Sequence, residues 1–430
     1  RMFLAAHSRN KADWILGINA SYAMCKATGL GNNSLGRVQT PVLAAISRRY
    51  RERENHISSD SWPIYISLQK DGILFKMRRT QDLPDKESAT MFFQDCKLAH
   101  QAQITGISHS VKEILPPDLL DLTQLQKEAN IRYGFTASEV YDIAQSLYEK
   151  KLISYPRTSS RYLTEDVFDS LPPIMACLLS WELFPAAKGT GGIDISNLSR
   201  HVISAEKANV HHAIIITGIR PGNLSEKEMQ VYRLVAGRML ETFMAPCRIE
   251  TTNVEAVCAA QHFKAEQTRI IEAGWHDVFM RYDMIPTSGY SVKELPEVEK
   301  GDTLNVCGCN MVHKKELPVD PFTDAELVEY MELNGLGTVS SRTNIIRTLV
   351  NRKYIRYSGK YIVPTPKGMF TYETIRGKKI ADTSLTADWE KQLAGLESGM
   401  ITGQDFLNRI RTLAKEMTDD IFNTYSTKEE

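Results

Sequence analysis

The sequence predicts a multidomain α+β protein, and three observations carry that expectation. The chain has 430 residues, more than one hydrophobic core ordinarily holds, so two to four domains are expected. Its apolar residues change period along the chain, in the order helical, strand, helical, strand, helical. Capping boxes punctuate the helical stretches, and a hairpin turn divides the first strand stretch. Alternation of this kind suggests domains inserted within domains, the chain going out and returning.

Residues 1–50 read as helical, interrupted by Ser34-Leu35-Gly36-Arg37-Val38-Gln39-Thr40-Pro41. Pro41 suits the first turn of a helix through Val42, Leu43 and Ile46. Arg48, Arg49, Arg51 and Arg53 crowd its far end, as the helix dipole favours. Ile64, Ile66 and Leu68 then alternate with polar neighbours up to Asp71-Gly72, a hairpin turn, so residues 59–115 are expected to be mainly strand. Asp121 starts a helix through Leu125 and Ala129. Thr136-Ala137-Ser138-Glu139 caps the next, with the stripe Val140, Ile143, Ala144, Leu147. Ser225-Glu226-Lys227-Glu228 caps another. Strand-like alternation returns at Val254–Val257, Phe263–Ile271 and Leu304–Val306, and Thr323-Asp324-Ala325-Glu326 opens a further helix. A helix over 338–351 and a hairpin turning at Ser358-Gly359 complete the order of a winged helix.

Composition narrows the function. The chain is 42% hydrophobic and 24% charged, a folded rather than disordered make-up. Lys+Arg and Asp+Glu both number 52, so no global basic field exists and a nonspecific DNA-coating role is disfavoured. Nucleic acid held in a local groove remains open. The seven cysteines are scattered, and only Cys307-Gly308-Cys309 brings two together, which is not a zinc pattern. Reduced thiols are the expectation, with no apolar run of membrane-spanning length and no secretory signal. The chain begins Arg1-Met2, not with methionine, and is expected to be a piece of a longer one.

One segment carries the chemistry: Ser154-Tyr155-Pro156-Arg157-Thr158. Pro156 fixes the backbone after the tyrosine. Arg157 places a planar fork of donors near the phenol, suited to a phosphate. Alone, the pattern is more often that of a buried tyrosine beside a solvated arginine. Arg9 and Asp13 lie four apart on a helix and share a face. Arg37 and Gln39 flank Val38 on an irregular segment where donors can meet phosphates. His211-His212 precede an apolar run. Adjacent histidines on a strand face opposite ways, which makes a poor metal pair, so one is assigned to a phosphate and the other to structure.

Together these segments resemble the type IA DNA topoisomerases, most closely their topoisomerase III branch. The resemblance runs from about Arg9 to the last helices. Its landmarks are Arg9-Asn10-Lys11-Ala12-Asp13-Trp14, Gly36-Arg37-Val38-Gln39-Thr40-Pro41, Gln126-Lys127-Glu128-Ala129 with Tyr133-Gly134-Phe135, and Ala144-Gln145-Ser146-Leu147-Tyr148-Glu149. Tyr155-Pro156-Arg157-Thr158, His211-His212-Ala213-Ile214-Ile215 and Glu272-Ala273-Gly274-Trp275 follow. Gly335-Leu336-Gly337-Thr338 and Thr386-Ala387-Asp388-Trp389-Glu390 close the series.

The resemblance implies Tyr155 as the nucleophile that forms a 5′-phosphotyrosyl link, with Arg157 and His211 at the scissile phosphate. It places Arg9 and Asp13 on the opposite wall, and Ser34, Arg37 and Gln39 in the single-strand groove. Gln145 lies near the cleavage position, and Thr158 completes the DNA-binding set. It implies an open ring of discontinuous domains: a helical domain from 1–58 and 319–430, a strand-rich arch from 59–115 and 249–318, and the tyrosine-bearing domain 116–248. The expected partners are single-stranded DNA and a Toprim domain of the same polypeptide. That domain would bring Mg²⁺ and a general acid; no metal ligand or cofactor is assigned to this chain. A cytoplasmic, nucleoid-associated monomer is expected, and the chain alone is expected to bind single strands without cutting them. A noncatalytic single-strand-binding or architectural module is the alternative.

The chain also departs from the family pattern. Ile216 stands where the family usually has proline, Thr338–Arg342 lacks the usual glutamate, and no Toprim counterpart is found.

Overall fold

The computed structural model describes all residues except 1, 30, 32, 182, 185–192, 209–210, 281–284, 286 and 427–430. Two long helices open the chain, α1 (Met2–Thr28) and α2 (Gln39–Glu54). The strand region follows with β1 (Asp60–Ser61), β2 (Ile64–Lys70), β3 (Ile73–Arg79), helix α3 (Lys86–Leu98) and β4 (Gln101–Ile114). Helices α4 (Leu122–Tyr133), α5 (Ala137–Glu149), α6 (Glu165–Asp169), α7 (Leu171–Ser180), α8 (Ala205–Ala208) and α9 (Glu226–Phe243) come next. Then come β5 (Cys247–Cys258), β6 (Gln261–Glu272), β7 (Thr303–Met311), β8 (Lys314–Lys315), α10 (Asp324–Leu333) and α11 (Val339–Asn351). The hairpin β9 (Ile355–Ser358) and β10 (Tyr361–Pro364) precedes α12 (Pro366–Ile375), α13 (Ser384–Ser398) and α14 (Gly403–Ser426).

Six strands close a barrel in the order β2-β3-β6-β5-β4-β7. The alternation read from the sequence fills it: Ile64, Ile66, Leu68, Phe75, Met77, Val254 and Phe263 all point inward and are buried. Closure removes the unpaired edges that an open sheet would expose. Asp71 and Gly72 both take positive φ, 52° and 82°, which is what a two-residue hairpin turn requires. Residues 59–115 are mainly strand as expected, with helix α3 inserted between β3 and β4. Asp85 caps it by accepting from the Ser88 N–H at 2.7 Å, and Ala89 and Cys96 bury its inner face against the barrel.

The tyrosine-bearing stretch builds its own core from Leu125, Ala129, Val140, Ala144, Leu147, Ile214, Ile216, Val235 and Met239. Its helices start where the sequence places them. Asp121 accepts from the Gln124 N–H at 2.7 Å, and Thr136 and Ser225 form complete capping boxes. The histidine segment differs from a regular strand. It makes only isolated bridges, Leu120 with Ile214 and Ile153 with Ile216, because alternate residues are shared between two neighbouring segments. The Ile216 N–H meets the Met239 sulfur at 3.2 Å, a contact that a proline in that place could not make.

The remaining helices form two packed groups. Small residues Ala5, Ala12, Ala20 and Ala23 let α1 lie close to α14, around Trp389, Phe406 and Ile410. Val42, Leu43 and Ile46 of α2 pack with Leu327, Met331, Ile346 and Leu349. Gly368 is required here, since a Cβ would stand 2.0 Å from the Tyr354 carbonyl oxygen. The β9–β10 turn is Gly359-Lys360, one residue later than the sequence reading, because Ser358 pairs with Tyr361. No disulfide joins any of the seven cysteines. No helix among the described residues is long and apolar enough to cross a membrane.

Candidate active site

Tyr155 sits on an irregular segment that three other segments hold in place. The Ser154 N–H donates to the Ile215 carbonyl at 2.8 Å, and the Ser154 hydroxyl joins Ala213 and Ile215. Thr158 is buried. Its hydroxyl donates to the His211 carbonyl at 2.8 Å and accepts from the Ser160 N–H. Next to it Asp121, pushed up by burial, is held by Arg161 at 2.7 Å. These bonds bring together residues far apart in sequence: the tyrosine loop, the histidine segment and the start of α4.

Above that scaffold the aromatic rings are close. Tyr155 is half-buried, its ring 4.5 Å from that of His211 at 48° and edge-on to Tyr148 at 5.4 Å. The Tyr155 hydroxyl has no hydrogen-bond partner among the described residues. Arg157 lies over the Tyr141 ring at 5.0 Å and donates from Nη2 to Gln145 Oε1 at 3.2 Å. Its buried Nε has no partner. Tyr141, Gln145 and Tyr148 are spaced to share one face of α5, so a single helix face holds both Arg157 and the tyrosine. The site thus presents an unbonded phenol, an exposed imidazole and an arginine fixed by stacking, with one donor unspent.

A second group forms around α1. Arg37 is buried, with Nε 2.8 Å from Asp13 and Nη1 3.1 Å from Glu390, and its guanidinium lies over Trp389 at 4.9 Å. Arg9 also pairs with Glu390, so Arg9 and Asp13 share a face without pairing with each other. Gln39 donates to the Ser34 carbonyl at 3.1 Å, while Arg352 donates to both the Ser34 hydroxyl and Gln39 Oε1. Arg9, Asp13, Arg37, Gln39, Thr338 and Ser341 line a groove of about 600 Å³. Arg37 was expected to offer its donors to phosphates; the structure spends them on two carboxylates.

No hydrogen bond, ion pair or ring contact among the described residues joins the Tyr155 group to the Arg9 group. Helix α11 stands between them. Val339 packs on the core of the tyrosine-bearing stretch, while Ser341 and Ile345 line the Arg9 groove. The joint beside it is polar: Gln126 donates to Thr343 at 3.0 Å, Arg342 to Thr123 at 3.0 Å, and the Ala137 N–H to Asp324 at 3.2 Å. Sequence reasoning passed over Glu390, Arg352, Tyr141 and Tyr148 as site residues. Glu390 and Tyr148 lay inside quoted landmarks, and Tyr141 precedes Gln145 by one helical turn.

No group of three or more His, Cys, Asp or Glu side chains among the described residues is disposed to hold a metal ion.

The family model for DNA topoisomerase matches residues 1–408. DNA topoisomerase 3 of Bacillus licheniformis is 30% identical over 98% of this chain and 60% of its own length. The Bacillus subtilis DNA topoisomerase 3 is 30% identical over 99% of the chain and 62% of its own length. DNA topoisomerase 1 of Methanocaldococcus jannaschii is 31% identical over 99% and 54%. The chain thus spans about 60% of the length of the first two relatives. In fold it is similar to full-length topoisomerase I of Thermotoga maritima, with a TM-score of 0.73 and 22% identity over 97% of this chain and 68% of that one. Length, landmarks, fold and relatives agree on one conclusion, that this chain belongs to the type IA DNA topoisomerase family.

Proposed function

We propose that this chain is the strand-cutting and strand-holding body of a topoisomerase III-like enzyme acting on single-stranded DNA. One observation carries the reading: an unbonded Tyr155 phenol lies beside His211, in a site where Arg157 is clamped with a buried donor unspent. Tyr155 Oη attacks the phosphorus and gives up its proton as the Oη–P bond forms. The bond from phosphorus to the 3′ oxygen breaks, and that oxygen takes up a proton. The strand keeps a 5′-phosphotyrosine end, and reversing both transfers reseals it. Because the phosphate ester is conserved, no ATP is needed.

Arg157 and His211 supply donors toward the phosphate, worth most where they are fixed before the charge develops. A free phenol titrates near ~10, so the reaction needs a base or a strong field at neutral pH. The acid for the 3′ oxygen is assigned to a Toprim domain, as is the Mg²⁺ site. The groove around Ser34, Gln39 and Arg9 is assigned to the strand that leads to Tyr155. Single-stranded DNA and that Toprim domain are the proposed partners, with a monomeric, cytoplasmic, nucleoid-associated enzyme.

The test is plasmid relaxation and adduct capture with the 430-residue chain, alone and with a separately expressed Toprim domain. The chain alone should bind single strands with a log–log salt slope of roughly −2 to −4, form no adduct and relax nothing. Relaxation by the chain alone, lost in Tyr155→Phe, would show that its acid lies within these residues. An absence of single-strand binding would sink the reading as a whole.

A further inference from the structure

A cavity of about 980 Å³ opens between the C-terminal half of α2, the end of α10 and the segment that follows α12. It shares no lining residue with the Arg9 groove. Arg48, Arg51, Arg376, Lys378 and Lys379 line it, against only Glu52 and Asp382. Three of these cations already have carboxylates: Arg51 with Glu373 at 2.6 Å, Lys378 with Asp420 at 2.9 Å, and Lys379 with Glu416 at 3.1 Å. Arg376 is 63% exposed and reaches Glu373 only at 4.0 Å. Arg48 is exposed and has no ion pair or hydrogen bond among the described residues. Two guanidinium groups, one from α2 and one from the segment after α12, are therefore available in the cavity.

The other lining residues decide what chemistry fits. Tyr330 is half-buried and offers part of its ring, Tyr372 is buried in the wall, and Asn55 and Asn334 offer amides. Positive charge beside an accessible ring suits a single-stranded nucleic acid, whose phosphates and unstacked bases use both. A small anion would have no use for the ring.

Position supplies the second argument. Gln39, the first residue of α2, lines the Arg9 groove, and Arg48 and Arg51 of the same helix line the cavity. At a rise of ~1.5 Å per residue, Gln39 and Arg48 lie ~14 Å apart along the axis. Residues 40–47 of α2 are buried, so the approach lies at the end of α10, where Asn334 lines the cavity and the next residue, Gly335, lines the groove.

We infer that this cavity is a second binding stretch for single-stranded nucleic acid, in which Arg48 and Arg376 hold the sugar–phosphate backbone of the strand whose other part lies in the Arg9 groove. It rests on the single-strand reading above and adds an outer subsite to it. The cavity contributes only to strands long enough to reach it.

The experiment measures fluorescence anisotropy of the whole chain with labelled oligonucleotides of ~6 and ~20 bases, within and beyond the span of one compact single-strand site. Arg48→Glu with Arg376→Glu should weaken the long oligonucleotide ~10-fold or more and reduce its salt slope by ~1–2, leaving the short one unchanged. Arg48→Lys with Arg376→Lys should keep most of the affinity. An unchanged melting temperature in both double variants separates binding from folding. Equal loss on both lengths, or no loss on the long one, overturns the outer subsite while leaving the groove in place. Equal competition by a blunt duplex overturns the choice of a single strand. If the wild-type chain binds neither length, the single-strand reading itself fails, and this inference with it.

Discussion

The ring of His211 lies 4.5 Å from the ring of Tyr155, although 55 residues of chain separate them. The contact exists because the Thr158 hydroxyl reaches the His211 carbonyl at 2.8 Å and Ser154 joins Ala213 and Ile215. Position of the imidazole is thus set by the backbone around the tyrosine rather than by the ring itself.

That arrangement lets the hydroxyl of Tyr155 be removed cleanly. Tyr155→Phe keeps both ring contacts and loses no hydrogen bond, so stability should change by less than ~0.5 kcal/mol. Single-strand binding should persist, and covalent capture of DNA by the chain joined to a Toprim domain should vanish. A labelled adduct that survives in Tyr155→Phe would refute the assignment.

Arg157 should tolerate no charge-conserving replacement. Its planar group both stacks on Tyr141 and bonds Gln145, which an ammonium cannot reproduce. Arg157→Lys should lower cleavage on the order of 10²-fold with little change in melting. Tyr141→Leu should fall between wild type and Arg157→Lys. Cleavage by Arg157→Lys at the wild-type rate, measured per folded molecule, would remove the arginine from the site.

For Arg37 the expectation is structural. Its truncation leaves Asp13 and Glu390 facing each other without the buried guanidinium between them. Both carboxylates are partly exposed, so Arg37→Ala should cost about 2 kcal/mol rather than the full penalty of a buried orphan charge. Urea unfolding measures it. An Arg37→Ala chain of wild-type stability that fails to bind single strands would return this residue to direct phosphate contact.

Asp324 gives the joint between α10 and α5 a pH dependence. Burial pushes its carboxyl up to about 6, while the Ala137 N–H and the Tyr357 hydroxyl, each at 3.2 Å, oppose that rise. The folded state therefore holds this proton more tightly than the unfolded one. The contribution to stability is greatest below the unfolded value near ~4 and is lost as pH rises through about 6. Asp324→Asn keeps an acceptor oxygen and should flatten the fall in stability between those values, by about 2–3 kcal/mol in all. Parallel wild-type and Asp324→Asn curves from pH ~4 to ~7 would contradict this.

The elements easiest to read in the sequence were those with local causes. Thr136, Ser225 and Thr323 cap helices through bonds to residues three positions on, and the Asp71-Gly72 turn needs only its own φ angles. Helix α3 had a local signal too, Asp85 before Ala89 and Cys96, hidden by the strands on either side. The Tyr155 group was legible because its members lie in short, distinctive segments. The fate of Arg37 was not, since it depends on Glu390, 353 residues away, arriving on α13. Pattern along a chain carries periods and caps; it carries no record of which distant carboxylate will claim a charge.

The pairing of Ile114 with Cys247 brings the two ends of the tyrosine-bearing stretch side by side as neighbouring rungs of one antiparallel ribbon. Everything between them leaves the barrel and comes back through a single doorway. Cutting both strands at that doorway and joining the stumps with a short turn should leave a barrel that still folds. Within the intact chain, the same doorway is where a load on the tyrosine-bearing stretch would be felt first, as a bend in β4 and β5 moving together.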